Sequence, residues 1–272
     1  MFQIWFMDTE KDYLTLNRKL WNDKVDFHLK SDFYDMEGFR NGRSSLMELE
    51  KSYLTDISGK KILHLQCHFG QDTISFSKLG AHATGVDFSD KAIGAAQKIA
   101  SEMHTDTRFI CCDVYDLPNH LDERFDIVFT SYGTIGWLPD LDRWAKVISR
   151  FLKPNGQFIF VEFHPVVWMF DDQFQSIAYN YFNTEAIFEI TEGTYADQSA
   201  PIKNENINWN HPTSEVLNSL IQNGFSIDRF DEYDYSPYNC FKGMTEVETG
   251  KFRIASLGNK IPMVFALTAT KK

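Results

Sequence analysis

The sequence predicts an α/β fold in which a mostly parallel sheet lies between two layers of helices. Three observations carry that prediction. Short apolar runs alternate with amphipathic stretches from about residue 60 to 163, the links between them are brief, and glycines stand where helices should stop. Such alternation is the mark of βαβ units joined by right-handed crossovers.

Ile62-Leu63-His64-Leu65 is the first strand, followed by the turn Gln66-Cys67-His68-Phe69-Gly70 and a helix over 72–79 that stops at Gly80. A glycine just past a helix end supplies the left-handed residue that closes it. The second strand, 83–86, ends at Asp87. Ser89 then caps a helix reaching Met103, with Ala92, Ile93, Ala96, Ile99 and Ala100 on one face. Residues 108–112 form the third strand and 125–130 the fourth, nearly all apolar, as expected where helices cover both faces. A helix over 141–152 and the turn Pro154-Asn155-Gly156 lead to the fifth strand, 157–163. Regularity returns later with a helix over 213–223 and two strands, 225–230 and 261–270.

Two segments break the rhythm. Residues 1–57 read as a helical cap rich in aromatics, among them Trp21 and Tyr34, ending in an amphipathic stretch over 46–54. Residues 165–210 carry nine more large rings and read as an inserted lid with some strand content. The expected division is therefore a cap, 1–57, and one domain, 58–272, bearing the lid.

The net charge of −11 (27 basic minus 38 acidic residues) disfavours nucleic acid and anionic lipid as partners and favours a small-molecule ligand. Four cysteines are too few for a secreted disulfide scaffold. The first ten residues carry Asp8 and Glu10 and no basic region, so they do not read as a signal peptide. No apolar run approaches the ~20 residues of a membrane span. A cytoplasmic location, away from membranes, is the expectation.

In an open α/β sheet, ligands bind beyond the carboxyl ends of the strands. The residues of interest are thus Gln66, Cys67, His68 and Gly70 after strand one, Asp87 and Phe88 after strand two, and Asp113 and Val114 after strand three. Ser131 and Tyr132 follow strand four, and His164 follows strand five. A carboxylate at Asp87 can accept both hydroxyl protons of a ribose. Asp113 can accept from an adenine amino group while Val114 offers its backbone N–H. The plainer alternative is that each aspartate only caps the element that follows it.

The stretch from Ile62 to Thr73 resembles motif I of the class I methyltransferases that use S-adenosylmethionine. Gly85-Val86-Asp87-Phe88-Ser89, Cys112-Asp113-Val114, Phe125-Asp126-Ile127-Val128-Phe129 and Leu152-Lys153-Pro154-Asn155-Gly156-Gln157 follow in that family's order and spacing. The resemblance implies a three-layer, Rossmann-like sandwich whose mostly parallel seven-stranded sheet has an antiparallel last strand, fitting 261–270. It implies S-adenosyl-L-methionine as cofactor and methyl transfer to a small molecule. The chain departs from the motif at His64, where the family shows an acid, and at Gln66 and His68, where it shows glycines. Those two positions must therefore accept strained backbone, or the loop must shift. The spelling Leu-Gln-Cys-His-Phe-Gly resembles a bacterial subset of small-molecule methyltransferases.

A sulfonium methyl is already activated, so the protein's task is in-line placement, worth up to about 7–11 kcal/mol, together with exclusion of water. His164 and His211 are the candidate bases for an acceptor proton. Trp21, Tyr34, Trp137 and His164 are candidates to line the acceptor pocket. His64, Cys67, His68, Cys111 and Cys112 invite a metal, but Cys111 and Cys112 point to opposite faces of one strand, so no metal is expected. Two alternatives compete. A nicotinamide-dependent oxidoreductase would need a glycine-rich turn that Gln66 and His68 crowd. A non-catalytic protein of this fold could bind a nucleoside only.

Overall fold

A computed structural model of the chain describes residues 9–182 and 185–272, with the side chains of 9–12 left aside. Three helices come first: α1 (Thr9–His28), α2 (Met36–Arg40) and α3 (Glu48–Tyr53). Then follow β1 (Lys61–Leu65), α4 (Gln71–Lys78), β2 (His82–Asp87), α5 (Asp90–Glu102), β3 (Arg108–Cys111), β4 (Phe125–Ser131), α6 (Leu141–Phe151) and β5 (Leu152–Phe163). The insert holds β6 (Ile187–Glu192) and β7 (Lys203–Asn208), and the chain ends with α7 (Thr213–Gln222), β8 (Phe225–Tyr233), β9 (Met244–Glu248), β10 (Lys251–Ile254) and β11 (Val264–Lys271).

Seven strands form the main sheet in the order β3-β2-β1-β4-β5-β11-β8, and β11 runs antiparallel between β5 and β8. The doubly wound sandwich expected from the sequence is the fold observed. The strand order reverses between β1 and β4, so the crevice for a ligand opens at the carboxyl ends of those strands. Ser89 accepts from the Ala92 N–H at the start of α5, and Gly80 takes a φ of 89° beyond α4, as their positions predicted.

One face of the sheet packs on α6 and α7 around the buried rings of Trp144, Phe151, Phe158 and Phe160. On the other face Leu46, Leu49 and Tyr53 lie against Ile62, Phe129 and Val161. Val25, Met36 and Phe39 join Phe69, Ile74 and the apolar face of α5. The cap therefore shares its core with the sheet, since the amphipathic stretch around α3 has no other apolar surface to meet.

The strand content expected of the insert is an antiparallel ribbon, β6 with β7, whereas a second hairpin, β9 with β10, stands between β8 and β11 where the sequence reading had none. The β9 side chains are exposed almost throughout, so no period-2 burial pattern marks that hairpin.

Candidate active site

The loop after β1 resolves the question posed by its missing glycines. Gln66 and His68 both adopt left-handed backbone, with φ of 56° and 51°, and Gly70 follows at 76°. The loop keeps its path and the two larger residues accept the strain, each at about 1–3 kcal/mol. Its packing explains why. A Cβ at Gly85 on β2 would lie 2.8 Å from both the Cys67 sulfur and the Phe109 ring, so the loop sits directly on bare backbone. The Cys67 N–H donates to the Val86 carbonyl at 2.9 Å.

Asp87 fastens this loop. One carboxylate oxygen accepts from the His68 N–H at 2.8 Å and the other from the Ser89 N–H at 2.9 Å. Each oxygen retains capacity for a further bond. Burial pushes the carboxyl up to about 6, against those backbone donors. Asp113 stands at the tip of the neighbouring strand, just past Cys112, whose N–H donates to the Asp87 carbonyl at 3.0 Å. Its side chain caps the following turn by accepting from the Tyr115 N–H at 3.3 Å. Both acids thus have the plain capping role and share one edge of the sheet. Phe88 is half-buried there and Val114 buried.

Tyr132, after Ser131 at the end of β4, is a third strained residue, with φ of 45°. The loop beyond it is held by Glu162 on β5, which is 1% exposed. Its carboxylate accepts from the N–H groups of Gly133, Thr134, Ile135 and Phe163 and from the Thr134 hydroxyl. The Thr134 carbonyl in turn receives the Gln66 side-chain amide at 2.8 Å, tying the β1 and β4 loops together.

Over these loops lies a cluster of rings. The Trp21 ring centroid is 5.2 Å from that of His68 and 5.5 Å from that of Trp137, and Tyr34 packs on Phe69 at 4.6 Å. Tyr195 from the insert closes over His28 at 4.8 Å and hydrogen-bonds the Tyr34 hydroxyl. Within the cluster His28 Nδ1 lies 2.9 Å from His68 Nε2. Burial lowers both, His28 to about 2 and His68 to about 3, so both rings are neutral. Two neutral imidazoles sharing one hydrogen bond must present one N–H and one bare lone pair at their outer nitrogens, whichever tautomer holds. Those atoms, His28 Nε2 and His68 Nδ1, are buried and have no partner among the described residues.

Of the residues singled out from the sequence, Trp21, Tyr34, Trp137, Gln66, Cys67, His68, Gly70, Asp87 and Asp113 come together here. His164 and His211 are engaged elsewhere. His164 Nε2 lies 2.8 Å from Glu232 and its Nδ1 accepts from the Val166 N–H. His211 Nε2 donates to the Leu138 carbonyl at 2.7 Å, and Nδ1 faces Glu215 at 3.1 Å. Sequence reasoning passed over Lys24, His28 and Glu50 and took Tyr195 only as one of the insert's rings. Lys24 and His28 share the Trp21 face of α1 by their three- and four-residue spacing, a signal open to inspection. Tyr195 and Glu50 reach the site only through tertiary packing.

The methyltransferase-domain family model matches residues 62–156, the stretch from β1 into β5. An uncharacterized methyltransferase of Synechocystis is 32% identical over 163 residues, covering 58% of this chain and 74% of the relative. The chain belongs to the class I S-adenosylmethionine-dependent methyltransferases. A ubiquinone biosynthesis O-methyltransferase of Coxiella burnetii is 31% identical over 104 residues; the chain spans 44% of that relative's length and the match covers 38% of the chain. The methyltransferase fold also matches an S-adenosylmethionine-dependent methyltransferase structure from Mesorhizobium loti, with a TM-score of 0.57 at 18% identity over 85% of this chain and all of that one.

The residues present suit that family's cofactor. Gln66 Oε1 and His68 Nδ1 are buried polar atoms at the strand tips with no partner among the described residues, and Gly85 leaves the loop seated close to β2. Asp87 and Asp113 offer acceptor capacity at adjacent positions. No helix among the described residues is long and apolar enough to cross a membrane.

Proposed function

We propose that the chain transfers a methyl group from S-adenosylmethionine to a small-molecule acceptor held beneath the ring cluster. The observation that carries this reading is the meeting, at one sheet edge, of two acid-tipped strands with a strained loop roofed by aromatic side chains. When bound, the cofactor supplies a methyl already activated by its sulfonium. Asp87 would hold the ribose hydroxyls and Asp113 the adenine amino group, with Phe88 and Val114 flanking the base. Gln66, Cys67, His68 and Gly70 would line the cofactor's other end, beside Ser131 and Tyr132.

Trp21, Tyr34, Trp137 and Tyr195 orient the acceptor and exclude water, which also strengthens every charge interaction inside. An acceptor hydroxyl or amine can donate a hydrogen bond to the outer lone pair of the His28–His68 pair, which would orient it without protonating either ring. His164 and His211, with both nitrogens committed, are better assigned to holding the edges of the insert. The family model ends at residue 156, before the insert, so the acceptor follows from the lid's own residues and not from the named relatives.

Thermal-shift measurements test the assignment. S-adenosylhomocysteine and S-adenosylmethionine should each stabilise the protein, and NADH should not; stabilisation by NADH alone would overturn the reading. Asp87→Ala should weaken S-adenosylhomocysteine at least tenfold in calorimetry, consistent with losing charge-assisted hydrogen bonds of about 1.5–3 kcal/mol each. Unchanged affinity would remove Asp87 from the ribose.

A further inference from the structure

We propose that Lys24 is the receptor for a carboxylate carried by the methyl acceptor, at the inner end of the ring cluster. The proposal rests on the methyl-transfer reading above and narrows its substrate class to anionic, ring-bearing or otherwise apolar acids.

Lys24 is 7% exposed. Its Nζ lies 4.8 Å from the centroid of the Trp21 ring, 5.8 Å from that of Trp137 and 5.9 Å from that of Tyr195. Among the described residues no carboxylate is paired with it, and the acids on either side of it in α1 are engaged elsewhere, Asp23 with Lys19 and Asp26 with Lys91. Aromatic faces attract an ammonium but do not replace its lost hydration. Lysine is among the residues least often buried without a partner, so a chain that buries one beside its reactive site has left half of a pair for a ligand.

The surroundings specify which half is missing. His28 and His68 flank Lys24 and are neutral, so neither can act as its counterion. Between them they present one outer N–H, a second donor for a group with two acceptor oxygens. Burial lowers the ammonium to about 8 with no charged neighbour offsetting it, which leaves it mostly protonated near neutral pH and receptive to an anion. The rings of Trp21, Trp137 and Tyr195 provide flat apolar walls for the rest of the molecule.

The cofactor carries a carboxylate of its own, so the experiment must separate the two sources. S-adenosylhomocysteine and 5′-methylthioadenosine, which lacks the amino-acid moiety, are titrated into the parent, Lys24→Met and Lys24→Arg. Each protein saturated with S-adenosylhomocysteine is then melted with benzoate, phenylacetate or the uncharged benzamide. The proposal expects S-adenosylhomocysteine affinity to change less than threefold in Lys24→Met. It expects the aromatic acids, but not benzamide, to raise the parent's Tm by about 2 °C or more. Lys24→Met should lose that shift and Lys24→Arg keep part of it. Lys24→Met removes a buried charge and should fold at least as well as the parent, which its own Tm checks.

Two results would overturn the proposal. In one, no aromatic acid stabilises the parent. In the other, Lys24→Met weakens S-adenosylhomocysteine tenfold or more while leaving methylthioadenosine untouched, which assigns Lys24 to the cofactor's carboxylate. A parent that binds no S-adenosylhomocysteine at all is a separate result and overturns the methyl-transfer reading itself.

Discussion

Glu50 on α3 is fully buried beside the Tyr132 hydroxyl, and no cation among the described residues is paired with it. Burial, with the charge of Asp72 adding to it, pushes this carboxyl up to about 8. The consequence for stability has a definite sign. The folded state keeps the proton up to about pH 8, whereas the unfolded chain releases it near the ordinary value of 4.5. Stability is therefore lost as pH rises between those values and is level above them. Glu50→Gln carries no such penalty. Urea unfolding at pH 5, 6.5 and 8 should show the variant gaining on the parent across the series, by an amount on the order of a few kcal/mol at the top. Parallel pH profiles would show that Glu50 ionises freely. The same residue marks a limit of sequence reading. Glu50 lies in a stretch recognised as amphipathic, yet its place between Asp72 and Tyr132 depends on how α3 meets the sheet.

At the scale of elements, the loop from Gly133 to Leu138 has no regular partner strand and takes its shape from Glu162. Five donors converge on that one carboxylate. Glu162→Gln replaces an acceptor-only group with one bearing its own N–H donors, so at least one buried N–H must lose its partner. The expected cost is about 2–4 kcal/mol in chemical denaturation, with weaker S-adenosylhomocysteine binding, because Thr134 then ceases to hold Gln66. A variant as stable as the parent would show that the loop is shaped by packing alone. This element also explains which parts of the fold were legible. β1, β4 and β5 are apolar runs bounded by turns, and α5 and α6 bury one helical face, so periodicity exposes them. The strand-tip acids followed from topology. The role of Glu162 did not, because an acid inside a β-strand looks in sequence like any solvent-facing residue, and only the fold shows that its side chain turns toward a neighbouring loop. Lys24 and His28 were readable as one face of α1, but that face acquires meaning only when His68 is placed opposite it.

Across the whole molecule, the cap and the insert close the cleft together. The Asn17 side chain both donates to and accepts from the backbone of Ile207 on β7, at 2.7 and 3.0 Å. Lys19 reaches Asn204, Tyr13 meets Trp209 edge to face, and the Trp209 N–H donates to the Gly136 carbonyl beside Trp137. Rings from the cap, the insert and the β4 loop touch one another across the strand tips, so an acceptor enters only if they part. Because α1 and β7 are fastened by a buried amide pair, the least costly opening moves them as one body and leaves that pair intact. Hydrogen exchange can follow this. Saturation with S-adenosylhomocysteine should slow amides in α1 and in β7 to similar extents in the parent. In Asn17→Ala, α1 should still respond while β7 exchanges faster and loses most of its response. A parent in which only one of the two segments responds would mean that cap and insert open independently, each gating its own side of the cleft.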